Sequence, residues 1–130
     1  MKVIPFRPAH QYIVLCVDDE PASLHLRRLV LEKGGFVVYT AATASDALRI
    51  VRAHRLDLVL TDYYLDDVTG GDLARAVKDE YPTLKVAIYS GAFELPADAQ
   101  FADIIITKAD GASALLNEIR ALLKRKHSAA

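Results

Sequence analysis

The stretch Leu58-Val59-Leu60-Thr61-Asp62 decides how the rest of the chain is read. Four uncharged, strand-forming residues run without interruption and stop at a carboxylate. A short continuous run of this kind suits a strand covered on both faces, as in a parallel sheet, where burial on each side removes the usual alternation. Alone, an acid at a strand end is most simply a turn residue. Its meaning depends on what the neighbouring strand ends bring beside it.

Upstream, Tyr12 to Val17 is a second run of the same type, and Asp18-Asp19-Glu20-Pro21 follows it at once. Pro21 suits the first turn of a helix and the acids suit its N-terminal dipole. Ala22, Leu26, Leu29 and Val30 repeat at helical spacing and predict the inward face of that helix, which Gly34-Gly35 ends. Phe36 to Ala41 predicts another strand, and Thr43 caps a helix whose Ala44, Ala47, Leu48 and Val51 share one face.

Downstream of Asp62, Tyr63 to Gly71 reads as a polar loop ending in glycine, followed by a helix carrying Leu73, Ala74, Val77 and Tyr81 and stopped by Pro82. Leu84 to Tyr89 predicts a fourth strand leading to Ser90-Gly91. Pro96 interrupts the interval from Phe93 to Ala102, so a short helix is the most it holds. Ile104 to Thr107 gives a fifth strand ending at Lys108, and Leu115, Leu116, Ile119, Leu122 and Leu123 mark a terminal helix. Its basic end, Lys124-Arg125-Lys126, complements the helix dipole. The expected organisation is a short tail over 1–11, one domain over 12–125 and a C-terminal tail over 126–130. Strands alternating with helices predict right-handed βαβ units and a three-layer, doubly wound α/β sandwich. In such a fold the functional crevice lies beyond the carboxyl ends of the strands.

The bulk properties narrow the function. A chain of 130 residues suits one domain with one core. Its 16 basic and 17 acidic residues leave a net charge of −1, without the electrostatic footprint of a nucleic-acid binder, so direct binding of nucleic acid is not expected. The single cysteine, Cys16, lies in the apolar run of the first strand and reads as a buried hydrophobe, which fits a reducing cytoplasm. No apolar run reaches the length of a membrane span, so no membrane association is expected. The histidines at 10, 25, 54 and 127 lack metal-ligand spacing.

Four of the five predicted strands end in a charged or hydroxyl residue: Asp18-Asp19, Asp62, Ser90 and Lys108. The fold brings these ends together, and carboxylates sharing a crevice repel one another unless something neutralises them. A hard divalent cation such as Mg²⁺ supplies that charge, taking carboxylates, waters and phosphate oxygens as ligands. Carboxylates, a lysine and a hydroxyl around such an ion describe a phosphoryl-transfer site, in which a carboxylate can itself be the nucleophile.

These pieces resemble a response-regulator receiver domain of the CheY-like kind, over Tyr12 to Lys124. The resemblance rests on Val17-Asp18-Asp19-Glu20, on Leu58 to Asp62 with Gly70 eight residues on, on Tyr89-Ser90-Gly91 and on Thr107-Lys108. It implies a five-stranded parallel sheet in the order 2-1-3-4-5. It makes Asp62 the phosphoacceptor, loaded from a histidine kinase or phosphotransfer protein, and makes the domain a signalling module instead of a turnover enzyme. Asp18, Asp19, Asp62 and the backbone carbonyl of Tyr64 would hold Mg²⁺ or Mn²⁺. Ser90 would donate to a phosphoryl oxygen, and Lys108 would pair with the phosphoryl group or, at rest, with a carboxylate. Output would pass through contact with a downstream protein or through a homodimer.

The sequence also departs from the family's pattern. Ile105 stands where an aromatic switch residue is usual, Ala109 stands where proline usually follows the lysine, and Asp66 replaces a common proline. The interval from Ser90 to Lys108 is short by about one helical turn, ~4 residues, which predicts a shortened fourth helix. Asp66 and Asp67 read as solvated loop acids. Tyr64 and Ala92 occupy places that tune access of water to the acyl phosphate in the family, and Tyr64 is expected to shield one side of the phosphoryl group. The departures on the output side raise a second reading, an interaction scaffold acting independently of phosphorylation. A haloacid-dehalogenase-type phosphatase is disfavoured because Tyr64 stands where its second Asp would be, and a dinucleotide fold because no G-x-G-x-x-G follows the first strand.

Overall fold

The computed structural model describes residues 11–92 and 94–128, with side chains described through 125. Most of the expected N-terminal tail, together with Phe93, lies outside the described residues. Strands β1 (Ile13–Val17), β2 (Val37–Ala41), β3 (Leu58–Thr61), β4 (Lys85–Ser90) and β5 (Ile104–Thr107) form a parallel sheet in the order β2-β1-β3-β4-β5. The α-helices are α1 (Pro21–Lys33), α2 (Ala44–Ala53), α3 (Gly70–Glu80) and α4 (Gly111–Ser128). This is the three-layer arrangement the alternating pattern predicts, in the strand order the resemblance implies.

Each strand feeds both layers because successive side chains point to opposite faces. Val14, Cys16, Leu58, Leu60, Ala87, Tyr89 and Ile106 pack with Leu31 of α1 and with Leu115, Ile119, Leu122 and Leu123 of α4. On the other face Leu15, Val17, Val59 and Val86 meet Ala44, Ala47 and Val51 of α2 and Leu73, Ala74 and Val77 of α3. Fully burying each of the larger aliphatic side chains contributes about 1.5–3 kcal/mol, so these two layers supply the main driving force for the fold. The faces expected for α2 and α4 are the observed ones. Tyr81 is not on the buried face of α3: that helix ends at Glu80, and Tyr81 is its partly exposed C-terminal cap.

The inward face of α1 differs from expectation. Leu26 is 63% exposed and Leu29 also faces outward, while the buried residues of the helix are Arg27 and Leu31, with Leu24 packed beside them. Hydrophobic periodicity selects the more apolar of two possible stripes. Here the cap sets the phase, because the Glu20 carboxylate accepts from the Ala22 N–H at 2.8 Å and Pro21 opens the first turn. A charged residue is thereby turned into the interior. At the other end Gly34 caps the helix and Gly35 takes φ 96°, a left-handed backbone that glycine adopts without a Cβ penalty.

Two other boundaries are sharper than the sequence suggested. Gly70 and Gly71 do not end a loop; they are the first residues of α3, whose N-cap Thr69 forms a reciprocal capping box with Asp72. Between β4 and β5 the shortened helix is reduced to one 3-10 turn, Ala97–Phe101, so the described chain has four α-helices. The turn lies against α3, and Ala99 packs with Tyr63 and Ile88 in a small satellite core.

Candidate functional site

The strands run in register to their carboxyl ends, with β4 and β5 reaching two residues beyond β1 and β3. Val17 lies opposite Thr61, Thr61 opposite Ile88, and Ser90 opposite Thr107. The next residues along β1, β3 and β5 are Asp18, Asp62 and Lys108, so strand register alone gathers most of the expected site. The Asp62 N–H donates to the Val17 carbonyl at 3.0 Å, which extends the ladder to Asp62 itself. Thr61, fully buried, donates its hydroxyl to the Asp62 carbonyl at 2.8 Å.

Lys108 Nζ is 2.9 Å from Asp62 Oδ2, the carboxylate pairing that the resemblance implies for the resting state. The other carboxylate oxygen accepts from the Tyr64 N–H at 3.3 Å. The pair is partly solvated, with side-chain exposures of 15% for Asp62 and 32% for Lys108. Ser90 is buried on the strand between them, and its hydroxyl oxygen accepts from the Ala92 N–H at 3.1 Å. Tyr64 is exposed, its ring edge-on to Tyr63 with centroids 4.8 Å apart.

Asp18 has a different environment. It is 2% exposed; its Oδ2 is 2.8 Å from Arg27 Nη1, and Arg27 is only 7% exposed. Its Oδ1 accepts from the Glu20 N–H at 2.9 Å. The Arg27 guanidinium lies over the Tyr89 ring, 4.9 Å from the centroid, and Lys108 Nζ is 5.7 Å from the same centroid. Burial pushes the Cys16 thiol up to about 12, with the nearby guanidinium acting in the opposite sense. Arg27 is the site residue that sequence reasoning missed. It is nine residues from Asp18 on the following helix, and no local spacing marks the pair.

Asp19, next in the chain, is only partly buried and turns toward the loop after β3. A hydrogen bond with the Asp66 carboxyl raises its pKa above the ordinary carboxylate value. Asp66 and Asp67 are both exposed, as expected of solvated loop acids, yet each also has a partner. The Asp67 carboxylate accepts from the backbone N–H groups of Ala44 and Ser45 at 3.3 and 3.4 Å and so docks the loop on the N-terminus of α2. Some desolvation by the loop raises the Asp67 pKa, but these N–H contacts outweigh it and hold the value down.

The loop is held at its far end as well. Tyr63 donates its hydroxyl to Asp98 Oδ1 at 2.6 Å, and Thr69 donates to Asp98 Oδ2 at 2.7 Å, so the 3-10 turn is tied to both ends of the β3–α3 loop. These two donors lower the Asp98 pKa, and the same contact raises that of Tyr63. Close approach explains both glycines at the start of α3. A Cβ on Gly70 would strike the Asp62 carbonyl oxygen, and one on Gly71 would come within 2.6 Å of Asp98.

The donors suit a hard cation in kind. Asp18, Asp19 and Asp62 carry the carboxylate oxygens that such an ion takes, and the repulsion between the Asp19 and Asp66 carboxyls marks negative charge that a divalent ion would offset. Among the described residues, however, no three acids or histidines converge as a ready ligand set, and Asp18 is engaged by Arg27.

A five-stranded parallel α/β domain in this strand order, with an acid, a hydroxyl and a lysine on consecutive strand ends, is the class of domain that the sequence resembles. The family follows directly: residues 14–120 match the response regulator receiver domain, and the chain belongs to that family. It is 33% identical over 122 residues to the transcriptional regulatory protein KdpE of Mycobacterium tuberculosis, covering 91% of this chain and 54% of that protein. It is 35% identical over 118 residues to the transcriptional regulatory protein YvrH of Bacillus subtilis, covering 88% of this chain and 50% of YvrH. The chain therefore spans about half the length of these relatives. Among solved structures, a CheY-like receiver domain protein from Methanospirillum hungatei superposes with a TM-score of 0.85 at 28% identity, over 93% of this chain and all of the other. No described helix is long and apolar enough to cross a membrane.

Proposed function

We propose that the chain is a phosphoacceptor module of two-component signalling that takes a phosphoryl group on Asp62 from the phosphohistidine of a histidine kinase or phosphotransfer protein. One observation carries this reading: the Lys108 ammonium is 2.9 Å from the Asp62 carboxylate at the open end of the sheet. An Asp62 oxygen attacks phosphorus as the P–N bond to the donor imidazole breaks, and the imidazole nitrogen keeps the electron pair. Lys108 then follows the charge from carboxylate to phosphoryl oxygen, a movement its long flexible stem permits. Ser90 turns its hydroxyl from the Ala92 N–H to donate to another phosphoryl oxygen. Water attack on phosphorus returns the carboxylate and inorganic phosphate. Asp18, Asp19 and Asp62, with the Tyr64 backbone carbonyl, would hold Mg²⁺ or Mn²⁺. Such an ion, when bound, neutralises charge on the transferring group.

The test is incubation with acetyl phosphate and Mg²⁺ followed by intact mass measurement. The native chain gains one phosphoryl group only when Mg²⁺ is present, and Asp62→Asn gains none. Equal labelling of Asp62→Asn, or no labelling together with no response to beryllofluoride, overturns the assignment.

A second reading, a scaffold that binds a partner regardless of phosphorylation, is favoured by Ile105, which is 51% exposed on the terminal strand of the sheet where an aromatic switch is usual. Partner affinity that is the same with and without beryllofluoride would support it; a change in affinity supports the phosphorylation-gated module.

A further inference from the structure

Asp18 and Asp19 are adjacent in sequence, yet they carry their charge in different ways. Asp19 meets another acid, Asp66, across the loop. Asp18 already has a full positive charge at 2.8 Å, supplied by a guanidinium almost as buried as itself. That guanidinium arrives from the inward face of α1, at a position where helical packing against a sheet ordinarily places an apolar residue. It also lies over the Tyr89 ring, which is within range of Lys108, and beside the Cys16 thiol. Arg27, Tyr89 and Lys108 line one side of an open cavity of about 270 Å³ between α1 and α4, with Ser23, Ala112 and Leu115 among the residues facing them. A guanidinium leaving Asp18 has space there and an aromatic face to move along.

We propose that Arg27 is a resident cation of the site and competes with the divalent ion for Asp18; the place of that ion rests on the phosphoacceptor reading above. With Arg27 in contact, one Asp18 oxygen is occupied by a guanidinium and the other by the Glu20 N–H, so Asp18 has little left to offer a metal, although its charge still opposes that of Asp19. The ion then depends chiefly on the more accessible Asp19 and Asp62. Recruiting Asp18 requires the guanidinium to withdraw toward the cavity, so part of the metal's binding energy is spent on separating a buried pair. A positive side chain so close also opposes the ion directly.

The competition is testable by isothermal titration of Mg²⁺ into the native chain, Asp18→Asn, Asp19→Asn, Arg27→Met and the Asp18→Asn/Arg27→Met double variant. Arg27→Met should bind Mg²⁺ at least about tenfold more tightly. Asp18→Asn should cost less than about threefold in the native background and more than about tenfold beside Arg27→Met. An unchanged or weaker affinity in Arg27→Met, or an equal cost of Asp18→Asn in both backgrounds, overturns the proposal. Should Arg27→Met not fold, as judged by circular dichroism, the native background decides: a tenfold loss in Asp19→Asn against less than threefold in Asp18→Asn supports competition, and equal losses overturn it. Acetyl phosphate labelling of the native chain, run in parallel, separates the two ideas. Labelled Asp62 with equal Asp18→Asn costs defeats the role of Arg27 alone. Absence of both labelling and Mg²⁺ binding in every variant defeats the phosphoacceptor reading with it.

Discussion

Two ion pairs stand on strand ends of the same sheet, and they are built for opposite purposes. Asp18–Arg27 is buried, with exposures of 2% and 7% and a cavity only on the arginine's side, whereas Asp62–Lys108 faces solvent at 15% and 32%. The contact distances hardly differ, at 2.8 and 2.9 Å. Environment is what separates them. In the interior, losing one partner strands an uncompensated charge, while at the surface water and counterions take over. The buried pair therefore behaves as part of the fold, and the open pair as a contact that chemistry can exchange.

The sharpest way to break this comparison is to remove the cation from each pair. Arg27→Met should destabilise the domain by about 3–5 kcal/mol, because Asp18 remains buried and charged. Urea denaturation measures this, and the Asp18→Asn/Arg27→Met double variant should recover part of the loss. A cost below about 1 kcal/mol would place Arg27 with the surface pairs instead.

An intermediate case is Asp98, a partly exposed carboxylate bridging two hydroxyls. Asp98→Asn should cost about 1–2 kcal/mol near neutral pH, through loss of charge-assisted hydrogen bonds. Its pKa is depressed in the folded chain, so its contribution is fully present above the ordinary value of 3.8 and fades as pH falls through the lower folded value. Urea midpoints of the native chain and Asp98→Asn should accordingly stay apart above pH 3.8 and draw together progressively as pH falls below it.

The smallest effect on stability belongs to Lys108→Ala, expected at about 0–1 kcal/mol by the same denaturation, since the pair is open to solvent. The comparison is sharpened if this variant keeps its stability yet no longer changes its near-ultraviolet spectrum on addition of beryllofluoride. A Lys108→Ala as costly as Arg27→Met would erase the distinction between the pairs.

What could be read from the sequence follows the range of the forces involved. The strands and the faces of α2 and α4 were legible because burial writes itself as runs and periods of apolar residues. Asp62, Ser90 and Lys108 were legible because strand ends in a parallel sheet converge whatever lies between them. Arg27 was not, since periodicity weighs residue types and cannot see that an arginine turned inward has a carboxylate waiting nine residues back. For the same reason Leu26 and Leu29 were assigned to a core they do not enter. The anchoring roles of Asp67 and Asp98 escaped because their partners lie 22 to 35 residues away, and a loop acid carries no mark of what it will cap or bridge.

The tether from Tyr63 to Asp98 bears on how motion can leave the site. Tyr63 is one peptide bond from Asp62, and its hydroxyl grips the 3-10 turn that precedes β5. The connection between β4 and β5 is thus steered from β3 as well as from its own ends. A displacement of the backbone at Asp62 would reach that turn through a phenol packed beside Ile88 of β4, as a crank reaches a short arm. The segment leading to Ile105 is thus tied to the Asp62 loop by a contact separate from Ser90.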